Sequence, residues 1–176
     1  MKYVLVGLTC VFLILAFIGG NAYYKGLEVE KYGFMAENNA ELFVRDHSMT
    51  LGSEDAKVYL VEFMDPACET CASFAPFVKK IMDANPGKIK LVLRYAPFHD
   101  GADNFVKMLE AARMQGKYWE TLDVMFKSQR IWANHGHYQP EKLWDIIPRA
   151  GVDVEQIRKD MHSPEIAKII EQDMAD

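Results

Sequence analysis

The chain has 176 residues, room for one well-buried domain, and with half of them apolar and 26% charged it has an ordinary globular balance. Its formal charge of −5 and its lack of any Lys/Arg cluster exclude an ordinary nucleic-acid surface, because phosphate recognition needs concentrated positive charge. The expected partners are proteins or small molecules.

Tyr3 to Gly20 is uncharged and mostly apolar. As a helix it would rise about 27 Å, enough to cross the hydrocarbon core of a bilayer. Lys2 and the amino terminus precede it, which favours a cytoplasmic N-terminus and an exported domain, a bias that Lys25 and Lys31 on the far side weaken. Residues 1–20 are expected to be an uncleaved membrane anchor. The alternative is a signal segment cleaved near Ala22, where Gly20-Asn21-Ala22 is a passable small-x-small site. Cys10 lies in this run and reads as a small packing residue, since Thr9 and its early position fit lipidation poorly.

Residues 21–40 read as a polar, partly helical spacer, and a domain follows over 41–176. Leu42-Phe43-Val44 is a short candidate strand and Ser48 to Asp55 a loop. A strand is expected over 57–64, and its unbroken apolar flanks predict that it is covered on both faces. It leads through Asp65-Pro66-Ala67 into Cys68-Glu69-Thr70-Cys71. The apolar residues then switch to helical spacing at Phe74, Phe77, Val78 and Ile81, and Asn85-Pro86-Gly87 ends the helix. Lys88 to Tyr95 alternates Ile89, Leu91 and Leu93 against Lys90 and Arg94, so it is a second strand, and the two form a βαβ unit.

Beyond Pro97 the pattern is helical. Phe105, Met108, Leu109 and Ala112 mark one helix, and Tyr118, Leu122, Met125 and Phe126 a second. Pro140 opens a third, carrying Leu143, Trp144, Ile146 and Ile147 to near Gly151, while Asp153 and Ser163-Pro164 start two more. Ile166, Ile169 and Ile170 of the last are expected to face inward.

Two thiols three residues apart at a helix start can form and exchange a disulfide. Cys68, at the helix N-terminus, is the expected nucleophile, because unpaired backbone N–H groups there stabilise a thiolate. Cys71 is the expected resolving thiol. Glu69 places a negative charge beside the thiolate and so favours the disulfide over the dithiol. Glu62 is an acid in an apolar strand. If it points beneath the active site it is suited to take the proton from Cys71 during resolution, and otherwise it lies on an exposed strand face. The competing use of CxxC is metal binding, which would need His135, His137, His99 or His47 to complete a site. No metal ligand is assigned, and a non-catalytic module that captures a protein or a metal ion is the alternative function.

Val61-Glu62-Phe63-Met64-Asp65-Pro66-Ala67-Cys68-Glu69-Thr70-Cys71, followed by Pro76, resembles the active-site strand, turn and kinked helix of thioredoxin-fold proteins, most closely their DsbA-like branch. Arg94-Tyr95-Ala96-Pro97-Phe98, Leu109-Glu110-Ala111-Ala112 and Gln115-Gly116-Lys117-Tyr118-Trp119-Glu120 are similar to the same branch where its helical insertion begins. The resemblance runs from about Leu42 to Asp176. It implies an α/β fold with a thioredoxin-like βαβ core and a helical insertion over about 100–163. It also implies a dithiol-disulfide oxidoreductase of the bacterial cell envelope, periplasmic and held at the inner membrane, with Glu62 at the family's buried acid position and no diffusible cofactor. Its partners would be cysteine-containing client proteins and a recycling thiol protein or membrane oxidoreductase. Family members return from the insertion through a cis-proline loop into two further strands and a helix. None of the prolines here fits that place, so the domain is expected to be incomplete at its C-terminus, with a strand edge uncovered.

Overall fold

The computed structural model describes residues 2–38, 40–134 and 137–176. The chain divides into two compact units, Met1–Leu42 and Phe43–Asp176. The first holds helix α1, Lys2–Asn38, so the segment read as a partly helical spacer continues the apolar helix through residue 38. An 18-residue window of α1 has a mean hydropathy of 2.4, and none of that window is buried within the unit. By length and composition it can cross a membrane.

The strand expected at Leu42-Phe43-Val44 does not form. A single helical turn, α2, covers Ala40–Phe43 instead. The strand lies in the segment read as a loop, as β1 over Met49–Gly52. Position 52 explains the placement: its φ is +114°, and a Cβ there would sit 2.5 Å from the Ile89 carbonyl oxygen. Only glycine allows so close an approach of the two backbones.

Strand β2, Val58–Met64, leads into helix α3, Glu69–Ala84, and strand β3 follows at Ile89–Tyr95. The sheet order is β1-β3-β2, with β2 parallel and β1 antiparallel to β3. β3 is therefore central, and its Leu91, Val92 and Leu93 are buried. β2 is an edge strand among the described residues, and Val58, Tyr59 and Phe63 are exposed, so the expectation of a covered strand does not hold. An apolar run reports what a strand could bury. Whether it is buried depends on a neighbour.

Helix α3 forms where the helical spacing marks it, but its large apolar residues are not covered. Phe74, Phe77 and Ile81 point outward at 58%, 59% and 46% exposure, and no residue of the helix is fully buried. Its other side, with Ala72, Ala75, Val78 and Met82, faces the sheet.

The core sits instead between the sheet and the insertion. Helices α4, Ala102–Met114, and α5, Tyr118–Trp132, bury Phe105, Met108, Leu109, Ala112, Tyr118, Leu122 and Met125, the positions that helical periodicity marks. Trp132 packs against Phe105 with the rings tilted, 4.6 Å between centroids. A two-stranded ribbon follows, β4 at Ala133–Asn134 and β5 at His137–Tyr138, which had no sequence signature. The segment expected as one helix from Pro140 forms two 3₁₀ turns, Pro140–Asp145 and Ile147–Ala150. Pro148 accounts for the break: it has no N–H to donate to a helical ladder. Helices α6, Val154–Asp160, and α7, Pro164–Ala175, start where expected, capped by the side chains of Asp153 and Ser163. Ile166 is buried, whereas Ile169 and Ile170 are half-buried against the core. From the last turn of α7 the Asp173 carboxylate reaches β3, accepting from Arg94 Nε and the Tyr95 N–H.

Candidate active site

The site is built where β2 ends. Asp65 is buried, and its Oδ1 accepts the Ala67 N–H at 2.7 Å while its Oδ2 accepts from the backbone N–H and Nδ1 of His99 at 3.0 and 2.7 Å. This carboxylate ties the turn before the cysteines to the loop after β3. The Cys68 N–H donates to the Asp65 carbonyl at 3.0 Å, and the Cys68 carbonyl opens α3 by accepting from Ala72 at 3.1 Å.

Cys68 is the N-cap of α3, and its sulfur accepts the Cys71 N–H at 3.5 Å. The sulfur is thus held at the end of the helix where N–H groups lack intrahelical partners, which is where negative charge is stabilised. Cys71 lies one turn on. Burial pushes its thiol up to about 11, against which a hydrogen bond from the Asp65 backbone acts and to which Cys68 and Glu62 add. At neutral pH Cys71 is therefore a protonated thiol. Both cysteines are free and half-buried, so exposure does not distinguish them; their places in α3 do, Cys68 as its N-cap and Cys71 within its first turn.

Glu62 is half-buried in β2, and burial raises its carboxyl above the ordinary range. Its negative charge also disfavours the Cys71 thiolate, so the two groups sense each other. It lines a groove of about 580 Å³ between α3, the sheet and α5, with Met64, Ala72, Pro76, Leu93 and Leu122 around it. Glu62 is thus half-buried in a groove whose lining is mostly apolar but also includes Lys79, Asp83, Asp123 and Lys127.

Glu69 stands exposed in the first turn of α3. Replacing it by Gln is expected to make the Cys68–Cys71 couple more oxidising, because a thiolate at the helix end no longer meets a neighbouring negative charge. A redox titration against glutathione reads this directly, and an unchanged potential would count against it.

Of the four histidines considered as metal ligands, His137 is exposed in β5. His99 binds Asp65 and His47 binds Asp173, while His135 lies outside the described residues. Among the described residues no three His, Cys, Asp or Glu side chains are grouped as a metal site.

Three neighbours of the cysteines carried no role in the sequence reading. Asp65 was legible only as part of a turn. Tyr138 of β5 meets His99 edge-on at 5.7 Å, and burial, with the charges of Asp65 and Cys68 nearby, raises its phenol. Gln129 of α5 donates to the backbone of the cysteine turn. Its signal was available: it falls four positions along from Met125 and three from Phe126, on the face those residues mark.

A family model described as thioredoxin matches residues 45–176, three quarters of the chain. The chain belongs to the thioredoxin family. A thioredoxin-like oxidoreductase from Silicibacter pomeroyi has a similar structure, with a TM-score of 0.65 and 31% identity over 77% of this chain and 75% of its own. Among curated relatives, the Na(+)/H(+) antiporter NhaA of Herminiimonas arsenicoxydans is 30% identical over 70% of this chain. A probable disulfide bond formation protein D of Bacillus anthracis is 28% identical over 76% of this chain. This thioredoxin-family chain spans 19% of the length of the antiporter and 64% of that of the disulfide protein. DsbA-like proteins of known structure share its fold at 19–21% identity. The expected DsbA-like thioredoxin fold is thus the fold observed.

Proposed function

We propose that the chain is a protein thiol-disulfide oxidoreductase that exchanges disulfides with cysteine-containing clients, with Cys68 as nucleophile, Cys71 as resolving thiol and Glu62 as proton carrier. The observation that carries this is the asymmetry of the pair: Cys68 caps α3 and receives an N–H, while burial holds Cys71 protonated.

In the oxidising direction a client thiolate attacks Cys68 Sγ of the Cys68–Cys71 disulfide. The intramolecular S–S bond breaks, and the Cys71 sulfur leaves and takes a proton from Glu62. A second client thiolate then attacks the client sulfur of the mixed disulfide and releases Cys68. The client loses two electrons to the cysteine pair, which becomes a dithiol. In the reverse direction the Cys71 thiol must lose its proton before it attacks the mixed disulfide, and ionised Glu62 is suited to accept it. The exchange needs no diffusible cofactor. A recycling thiol protein or membrane oxidoreductase restores the starting redox state.

The location proposed is the cell envelope, with residues 1–20 as the anchor in a bacterial inner membrane, 21–40 as the spacer and 41–176 as the periplasmic domain. The length and hydropathy of α1 support it. So do Tyr23 and Tyr24 at the end of the apolar run, since tyrosine favours the membrane interface.

The test is oxidative refolding of a reduced client by the full chain in detergent, in a glutathione buffer. Turnover above the buffer rate supports the proposal. Stoichiometric metal without turnover would instead make the chain a binding module. In the reverse assay, reduction of a disulfide client by the dithiol form, Glu62→Gln is expected to slow resolution of the mixed disulfide by Cys71 about tenfold and to remove a rise in rate with pH. That rise follows ionisation of Glu62, so its midpoint lies above the ordinary carboxylate range.

A further inference from the structure

The amide of Gln129 makes contacts that the exchange mechanism above does not use. Gln129 lies in α5, is 5% exposed, and donates from Nε2 to the Pro66 carbonyl at 3.0 Å and to the Cys68 carbonyl at 3.1 Å. An amide nitrogen carries two hydrogens, and both are spent on the carbonyls either side of Ala67. The N–H groups of this turn are also accounted for. Asp65 accepts the N–H of Ala67 through its side chain and that of Cys68 through its backbone, and Pro66 has no N–H. The turn that presents Cys68 is therefore fixed from two sides, by Asp65 at its own base and by Gln129 from a helix 61 residues away.

We infer that Gln129 is a positioning residue for Cys68, one that favours the dithiol form and the attacking geometry of its sulfur. The inference rests on the thiol-exchange reading of Cys68. In the disulfide form the bond to Cys71 itself fixes the Cys68 sulfur. In the dithiol form that bond is gone, and Cys68 keeps its place as N-cap, at φ −73° and ψ 118°, only through the hydrogen bonds of the turn. Loss of the Gln129 amide leaves two carbonyls without this donor in both forms, but it releases the sulfur only in the dithiol. The dithiol loses more, so the equilibrium moves toward the disulfide and the protein becomes less oxidising. A purely structural role would weaken both forms equally and leave that equilibrium where it is.

The test is Gln129→Met, which keeps the length of the side chain and removes both donors, read by equilibration with glutathione and by the rate of iodoacetamide reaction at Cys68. The expected result is a shift of roughly three- to tenfold toward the disulfide, the scale of one or two ordinary hydrogen bonds, with slowing of alkylation by a similar factor. An equilibrium and an alkylation rate both within about twofold of the unmodified protein would overturn the inference, whatever happens to the melting temperature. If Gln129→Met does not fold, the side-chain amide signals of Gln129 in the unmodified protein decide. They should move in the NMR spectrum between disulfide and dithiol forms, and identical signals would overturn the inference. Neither readout uses a client, so a chain that turned over no client would sink the proposed function and leave this result standing.

Discussion

Cys71→Ser is expected to accumulate clients as mixed disulfides on Cys68, while Cys68→Ser lowers exchange by at least about a hundredfold. The asymmetry follows from protonation. An ordinary exposed thiol is a few per cent thiolate at pH 7. Cys71, pushed up to about 11, lies four pH units above neutrality and is ionised in about one molecule in ten thousand. Burial is the largest cause of that shift and persists when Cys68 is replaced, so the remaining thiol stays a poor nucleophile toward anything arriving from solution. Within a mixed disulfide its position changes the outcome: it lies one helical turn from the sulfur it attacks, and proximity replaces concentration. Removing Cys71 thus blocks resolution and leaves capture intact. Non-reducing electrophoresis would show the trapped client in Cys71→Ser and none in Cys68→Ser, with Cys10→Ser as background to exclude the third thiol. Iodoacetamide should label Cys68 first in the reduced protein, and the reaction of Cys71 in Cys68→Ser should rise about tenfold per pH unit through neutrality. Equal labelling of the two cysteines at pH 7 would contradict the assigned order of attack.

What the sequence carried about this site was local. The βαβ unit, the helix that starts at the CxxC and the stop at Asn85-Pro86-Gly87 follow from periodicity and from turn residues, which act over a few positions. The third strand did not. Met49-Thr50-Leu51-Gly52 is too short to announce itself, and it forms because a glycine lets it lie against Ile89 and the central strand, a partner forty residues on. Burial was misread for β2 for the same reason, since its apolar face is intrinsic while what covers it is tertiary. The cysteines could be read from spacing, and Glu62 from its place in an apolar run. Asp65 and Gln129 serve the site through hydrogen bonds to backbone atoms, which any sequence offers, so only the fold shows which atoms they reach.

Asp173→Ala should destabilise the domain by about 3–5 kcal/mol, the range for breaking one partner from a buried charge pair, without changing the chemistry of the cysteines. Asp173 and Arg94 are both fully buried at their side chains. Asp173 Oδ1 accepts from Arg94 Nε and from His47 Nε2, each at 2.6 Å, and Oδ2 accepts the Tyr95 N–H at 2.7 Å. One carboxylate therefore joins α7 to the end of the central strand and to the segment before β1. With it gone, the Tyr95 N–H and part of the Arg94 guanidinium are left buried without an acceptor, a cost no repacking by alanine relieves. Arg94 would keep Asp176, whose Oδ2 it reaches at 2.5 Å. Asp176 adds a pH dependence to this cluster. Its carboxyl is held below the ordinary range by Arg45 first and by Arg94, against the effect of burial. A carboxylate depressed in the folded state contributes stability that is complete above its unfolded value and is lost as pH falls through its folded one. Acid should therefore weaken the α7 contact from about pH 4 downward. In Asp176→Asn that acid sensitivity should shrink while most neutral-pH stability remains. Thermal melts at pH 7 should show a drop on the order of 10 °C for Asp173→Ala. A drop of a degree or two would mean that Arg94 finds water or Asp176 as an adequate substitute, and that the cluster fixes the position of α7 more than it stabilises the fold.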